Sequence, residues 1–168
     1  MTVQPVNAHW AEMIRSKLSV RRRVQYAALP YRWDGRSAVE VLLITSRETG
    51  RWIIPKGWPL KGKRPHRTAA REAQEEAGVT GKINRRPIGS FPYRKRLKSG
   101  KVVLCEVQVF ALRVTGQRAR WTEKGERKVK WMPRAKAATT VKNSVLRTII
   151  RSIPSAPGRR PPKTSDSR

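Results

Sequence analysis

A helix with well-marked ends is the sequence feature that most constrains the fold of this chain. Between Pro65 and Ala77, alanines at positions 69, 70, 73 and 77 recur with helical spacing on one face. Proline suits the first turn of a helix, where its missing N–H costs nothing, and Gly78 is a natural stop. We therefore predict a helix over residues 65–77.

This helix carries three of the few carboxylates in the chain. Glu72, Glu75 and Glu76 lie within five positions, although only 11 of 168 residues are acidic, 39 are Lys or Arg, and the formal net charge is +28. Residues three and four apart share a helix face, so these groups repel each other unless a cation compensates. Hard divalent ions such as Mg²⁺ take such oxygen ligands together with substrate phosphates. The alternative is a solvated face whose charges pair with arginine, as Arg71 can with Glu75.

Strand-like segments precede the helix. The runs "RRRVQYAALPYRW" and "AVEVLLITSR" are joined at Asp34-Gly35, a turn signal that favours a hairpin. The run "RWIIPKGW" is a third short strand that ends in a loop rich in Lys, Gly and Pro. At least one antiparallel hairpin is therefore expected before the helix.

More strands and two helices follow. The runs "GKINRRPIGSFPYRKRL" and "KVVLCEVQVFALRVT" are predicted strands around a Ser99-Gly100 turn, and residues 128–133 form another. The runs "PRAKAATTV" and "NSVLRTIIRSI" are predicted helices. Strands and helices that alternate in this way predict an α/β (α+β) domain with a mixed β-sheet covered by helices.

The chain divides into three segments. Residues 1–21 are an N-terminal extension with an amphipathic helix over 7–19, residues 22–153 are the folded domain, and residues 154–168 are a basic tail predicted to be disordered. The single cysteine, Cys105, excludes an intrachain disulfide or a multi-cysteine zinc site. With neither a bilayer-spanning apolar run nor a secretory signal, we expect no membrane association and a cytoplasmic protein.

Residues 57–79, "GWPLKGKRPHRTAAREAQEEAGV", resemble the box that defines the Nudix hydrolases. The pattern is Gly, five residues, Glu, seven residues, then Arg-Glu-apolar-x-Glu-Glu-x-Gly-apolar. The positions that match are Gly57, Arg71, Glu72, Ala73, Glu75, Glu76, Gly78 and Val79. Lys63 stands where the family usually has its first Glu, a residue that supports an additional metal or the loop. The resemblance implies the Nudix fold, a mixed sheet sandwiched between helices, and a metal-dependent pyrophosphohydrolase.

The resemblance also implies roles for residues of the helix and the loop before it. Glu72, Glu75 and Glu76 would ligate Mg²⁺ or Mn²⁺, with Glu72 as the leading candidate for the general base. The metal ions neutralise the pyrophosphate and lower the pKa of bound water, and a carboxylate removes the proton. Arg71 would orient the carboxylates. The backbone carbonyl of Lys56, beside Gly57, would be another metal ligand.

Two later glutamates are further catalytic candidates. Some members of the family supply the base from a later loop, and Glu123 and Glu126 lie in such a segment, "WTEKGERKVKW". They either reach the metal ions or balance Lys124, Arg127 and Lys128. Both interpretations stay open.

The wider sequence, over roughly residues 22–150, resembles the branch of the family with diphosphoinositol polyphosphate and dinucleoside polyphosphate hydrolases. This implies a substrate with many phosphates, which agrees with the basic composition. Lysine and arginine bind phosphate through charge and through bidentate hydrogen bonds. The candidate phosphate contacts are Lys56, Lys61, Lys63, Arg64, Arg67, Arg94, Lys95, Arg96 and Lys98.

Other functions remain in competition with this one. The charge would also draw RNA, so the chain could hydrolyse the 5′ end of RNA, or bind nucleic acid weakly through its basic surface and tails on a catalytically weakened Nudix fold. Trp58 stacks on a base or, as we favour, packs beneath the loop. His66 contacts phosphate or, as we favour, caps the helix while exposed.

Overall fold

The computed structural model describes residues 22–35 and 38–156. The predicted helix over 7–19 and the tail from residue 157 lie outside these ranges. The elements in chain order are β1 Arg23–Trp33, β2 Val39–Thr45, β3 Trp52–Ile53, β4 Lys56–Gly57, α1 Pro65–Ala77, β5 Val79–Ile83, β6 Gly89–Arg96, β7 Val102–Gln117, β8 Val129–Pro133, α2 Arg134–Thr140 and α3 Ser144–Arg151.

The strands form one mixed sheet, as predicted. Its main path runs β3-β2-β1-β7-β5; β4 also pairs with β1, β6 with β7, and β8 with β2. The long central strands β1 and β7 are parallel to each other, with Arg23 opposite Cys105 and Tyr31 opposite Arg113. β1 and β2 form the expected antiparallel hairpin. The Asp34 carboxylate accepts a hydrogen bond from the Ala38 amide across its turn, at 3.1 Å.

Two segments predicted as single strands are each divided in the structure. The run from residue 81 to 97 forms β5 and β6, which pair with different halves of β7: Ile83 lies opposite Leu112, and Gly89 opposite Val109. The intervening Pro87 has no N–H to contribute to a sheet. In the same way, Pro55 separates β3, which pairs with β2, from β4, which pairs with β1.

Helix α1 has the bounds that the sequence predicts, and it packs on β1, β4 and β5. Ala69, Ala73 and Ala77 are fully buried on its inner face, where small side chains let the helix approach the sheet closely. Gly78 ends the helix with φ +70°, and its amide donates to the carbonyls of Ala73 and Gln74. The helix is therefore held rigidly against the strands that border its carboxylates.

The two C-terminal helices complete the layers around the sheet. α2 and α3 pack on each other, α2 also packs on β2, and α3 on β6. Asn143 caps α3 by accepting a hydrogen bond from the Leu146 amide at 3.0 Å. The core includes Leu29, Leu42, Phe91 and Phe110, and Cys105 is buried among it as a free thiol. The mixed sheet thus lies between helices.

Candidate active site

A cavity of about 520 Å³ borders α1, β4 and the end of β6, and it collects charges of both signs. Its acidic lining residues are Glu48, Glu72, Glu76 and Glu123. Its basic lining residues are Arg47, Lys56, Lys95, Arg96, Lys98 and Arg127. Residues far apart in sequence therefore meet beside the carboxylates of α1.

Glu76 is the most deeply buried of these carboxylates, with 5% of the residue exposed. Its two oxygens accept hydrogen bonds from Arg127 Nη2 at 2.5 Å and from the backbone amide of Lys56 at 3.0 Å. Burial raises the pKa of the Glu76 carboxyl, while Arg127 and Lys56 act in the opposite direction. Glu76 thereby ties α1 to β4 and to the loop before β8.

Glu72 lies in the cavity against Gly57. A Cβ built on Gly57 would overlap the Glu72 carboxylate, so the absence of a side chain at position 57 makes room for it. Burial, followed by the charges of Glu76 and Glu75, raises the pKa of Glu72 to about 7. No cation of the described residues forms an ion pair with it. Glu72 is thus a half-buried carboxylate without an ion-pair partner among the described residues, and only the more distant charge of Arg71 opposes the rise in its pKa.

Glu75 does not line the cavity, whereas Glu72 and Glu76 do. A helix turns about 100° per residue, so Glu75 and Glu76 diverge while Glu72 lies between them. The Glu75 carboxylate accepts from Arg71 Nε at 2.6 Å, as the sequence spacing allows. The backbone carbonyl of Glu75 accepts from the Glu123 amide at 3.0 Å, which attaches the later loop to α1.

The two later glutamates separate in the structure. Glu123 lines the cavity and accepts from Arg127 Nε at 2.9 Å and from Arg47. Burial opposes ionisation of Glu123, but the hydrogen bonds from Arg47 and Arg127 hold its pKa below the ordinary value. Glu126 lies outside the cavity and pairs with Arg47 at 3.0 Å. Both glutamates are balanced by arginine, and only Glu123 also lines the cavity.

Arg127, Arg47 and Glu48 are the charged residues of the cavity that sequence reasoning missed as site residues. The Arg127 side chain is 11% exposed, and it donates to Glu76, to Glu123 and to the Thr45 carbonyl. Its i,i+4 spacing from Glu123 is visible in the sequence. The sequence carries no signal for its pairing with Glu76, which lies 51 residues earlier in the chain.

The predicted phosphate contacts divide among different surfaces. Lys56 and Arg96 line the candidate active site, together with Lys95 and Lys98. Burial lowers the pKa of Lys56 to about 8, and its ammonium lies 4.4 Å from the centre of the Tyr93 ring. Lys61 does not line the candidate active site.

Arg94, Lys63 and Arg64 do not line this cavity. Arg94 lines a different cavity, together with Trp52, Tyr93 and Asn143. Lys63 and Arg64 line a third cavity at the start of α1. They follow the loop as it turns into the helix, whereas the carboxylates lie further along α1.

The predictions for two ring side chains have different outcomes. Trp58 lines the candidate active site, and its ring packs on the hydrophobic core, as we favoured. The prediction that His66 is an exposed cap is wrong. Only 8% of His66 is exposed, its ring lies 6.4 Å from that of Phe110, and Arg64 is the N-cap residue of α1.

Comparison with known proteins defines the class to which this fold and site belong. The family model described as the NUDIX domain matches residues 21–152. Nudix hydrolase 21, chloroplastic, of Arabidopsis thaliana is 30% identical over 129 residues, which are 74% of this chain and 63% of that protein. The chain belongs to the Nudix domain family.

Two further relatives support this placement. Diphosphoinositol polyphosphate phosphohydrolase 3-alpha of Mus musculus is 38% identical over 85 residues, 50% of this chain and 48% of its own length. The crystal structure of C. elegans Ap4A hydrolase has the same fold, with a TM-score of 0.56 and 19% identity over 77% of this chain and 94% of that one. The matched part of this chain spans 63% of the length of the plant relative and 48% of the length of the mouse relative.

The described residues contain no helix that combines the length and the apolar character needed to cross a membrane.

Proposed function

We propose that this protein is a metal-dependent hydrolase that cleaves a pyrophosphate linkage in a highly phosphorylated small molecule. The observation that carries the proposal is Glu72, a carboxylate with a pKa of about 7 that lies without a cation partner in a cavity lined by lysine and arginine. A divalent cation would compensate this carboxylate, and the basic residues would bind the phosphates.

The residues of the site fit a hard cation such as Mg²⁺ or Mn²⁺. The donors are oxygens, the space at Gly57 leaves room for the Glu72 carboxylate, and Glu76 is fixed beside the Lys56 amide. Among the described residues, no three His, Cys, Asp or Glu side chains already form a closed metal cluster. We assign Glu72, Glu76 and the Lys56 carbonyl as ligands, with Glu75 able to join them by leaving Arg71. Mg²⁺ usually keeps several waters and uses only one or two carboxylates, which suits so sparse a set.

The bound ion would neutralise charge on the phosphates and lower the pKa of the attacking water. The other steps belong to side chains of this protein. Lys95, Arg96 and Lys98 would hold the phosphate groups from the β6 side of the cavity. Glu72 Oε would accept the proton of the attacking water, since this carboxylate lines the cavity and forms no ion pair with a described residue. Arg127 would hold Glu76 and Glu123 in position.

Two observations favour a substrate that carries many phosphates. Six basic side chains line the cavity, and three of them, Lys56, Arg96 and Lys98, form no ion pair with a described residue. The mouse relative is named as a diphosphoinositol polyphosphate phosphohydrolase. We therefore name diphosphoinositol polyphosphates and dinucleoside polyphosphates as the substrate class.

A substrate panel with a matched pair of variants tests this function. Inositol and nucleoside polyphosphates are incubated with the full chain and with Mg²⁺ or Mn²⁺, and released phosphate is measured. Glu72→Gln should lower kcat by about 10²–10³-fold, the loss typical of a group that stabilises or activates the transition state. Glu40→Gln is the control, because Glu40 pairs with Arg32 on β1, outside the cavity.

Equal activity of the two variants would contradict the assignment of Glu72. Hydrolysis restricted to 5′-triphosphorylated RNA would support the RNA alternative, and RNA binding without any hydrolysis would support the weakened binding module. The cytoplasmic location stays a prediction, since the plant relative compared above is named as chloroplastic.

A further inference from the structure

A second cavity, of about 490 Å³, lies at the start of α1 and shares no lining residue with the candidate active site. Its lining residues are Gly62, Lys63, Arg64, His66, Arg67 and Arg85. Four of these side chains are cations and none is acidic. Lys63 and Arg64, which the sequence predicts as phosphate contacts, line this basic cavity.

The four cations of the basic cavity have no carboxylate partners in residues 22–35 and 38–156. In the candidate active site, by contrast, Arg47, Lys95 and Arg127 each form an ion pair. Like charges that share a concave surface repel each other, because less water lies between them than on a flat surface. All four side chains are exposed, so water and salt screen part of this repulsion, and a bound anion would relieve the rest.

The position of the cluster on the helix adds to this repulsion. The N-cap residue of α1, Arg64, makes no side-chain capping hydrogen bond, and the first turn of the helix has no acidic residue. Helix N-termini carry partial positive charge and favour Asp, Ser, Thr or a bound anion. This 13-residue helix instead has Arg64 and Arg67 at that end. An anion would satisfy the helix end and the cations together.

His66 is an independent observation that indicates a ligand. The residue is 8% exposed and lines the basic cavity. Its ring contacts that of Phe110 and makes no hydrogen bond to any residue of the described ranges. Buried polar side chains in folded proteins are normally hydrogen-bonded. A neutral imidazole has one N–H to donate, and an anion in the cavity would accept it.

We propose that the basic cavity is a phosphate-binding site that takes a phosphate group of a small polyphosphorylated molecule. Arginine matches phosphate with paired hydrogen bonds, and three arginines with one lysine favour an anion of several charges over a carboxylate. Sites for single-stranded nucleic acid use aromatic stacking platforms, and no Trp, Tyr or Phe lines this cavity. The site is separate from the candidate active site and does not rest on the proposed hydrolysis.

NMR of the histidine rings tests the site directly, because the chain has only two histidines, His9 and His66. The full chain is labelled with ¹⁵N-histidine, and His9→Gln assigns the signals. Inorganic tripolyphosphate is titrated at fixed ionic strength without divalent metal. The His66 signals are expected to shift saturably. Arg85→Gln should weaken the affinity by about tenfold or more, since a charge-assisted hydrogen bond is lost.

Arg86→Gln is the matched control, because Arg86 is the next residue, is exposed as Arg85 is, and does not line the cavity. It should change the affinity by less than about twofold, as expected for a charge screened by salt. The absence of a saturable shift at His66, or equal losses in the two variants, would overturn the proposal. Tighter binding of a single-stranded RNA at His66 would overturn the small-molecule assignment. Without metal or turnover, the titration is independent of the hydrolysis test.

Discussion

The two ends of helix α1 differ in the sign and the pairing of their charged side chains. Towards its C-terminal end, the buried carboxylate of Glu76 pairs with Arg127, and Glu72 lies beside it in the candidate active site. At its N-terminal end, Arg64 and Arg67 line a cavity in which no cation is paired with a described residue. The net charge of the chain, +28, does not distinguish the two ends.

Burial and pairing do distinguish them. A buried charge is costly unless it is paired, so the side chains around Glu76 are fixed in position by one another. Partly exposed cations are tolerated without partners because water and salt screen them. The paired charges therefore build the framework of one site, whereas the unpaired charges of the other remain available to a ligand.

The largest effect expected from this difference is on stability. Arg127→Met removes the cation that Glu76 and Glu123 share, and it should lower the free energy of unfolding by about 3–5 kcal/mol, as for other broken buried pairs. Urea denaturation followed by tryptophan fluorescence measures the loss. Arg22→Met is the control, because the pair of Arg22 with Glu106 is exposed and should contribute at most about 1 kcal/mol. Similar small losses in both variants would show that the Glu76 network is not desolvated.

The next largest effect is on catalysis at the acidic end. A methyl group in Gly57→Ala would displace the Glu72 carboxylate, and a displacement of about 1 Å in a catalytic group can cost about a hundredfold in rate. The kcat of the best substrate of the panel is the measurement. Gly116→Ala is the control, since its Cβ would lie 3.3 Å from the Thr80 hydroxyl and away from the cavity. An unchanged kcat in Gly57→Ala would mean that the position of Glu72 is unimportant.

A charge reversal at the basic end should have an intermediate effect. Lys63→Glu replaces a cation of the basic cavity with the residue usual in the family pattern, and it should weaken tripolyphosphate binding at His66 by about tenfold or more. Lys61→Glu makes the same change of charge outside the cavities and serves as the control. If Lys63→Glu instead tightened Mg²⁺ binding and raised the rate, position 63 would belong to the metal site, and the separation of the two ends would fail.

The smallest effect is expected at the exposed pair between the two ends. Arg71→Ala removes an i,i+4 pair with Glu75 on the solvent side of α1, and it should change the free energy of unfolding by less than about 0.5 kcal/mol. Urea denaturation in low and high salt measures this difference. A loss comparable to that of Arg127→Met would show that the pair is structurally coupled to the buried network.

The sequence by itself determined the elements that depend on local signals. The bounds of α1 could be predicted to the residue because Pro65 and Gly78 act within one turn of the helix. The β1–β2 hairpin could likewise be predicted from the turn at Asp34-Gly35. The division of residues 81–97 into β5 and β6 could not, because it depends on pairing with two distant halves of β7.

The candidate site shows the same division between what local sequence signals determine and what long-range packing determines. The spacing of Glu72, Glu75 and Glu76 identified the acidic helix, because helical periodicity is local. Only the tertiary structure decided that Glu76 meets Arg127, 51 residues away, while Glu75 remains on the solvent side. It also placed Lys63 and Arg96 in different cavities. The many lysines and arginines give the whole surface a charge that attracts phosphate. The packing of α1 on the sheet determines which of these cations line the same cavity and which form ion pairs with glutamates.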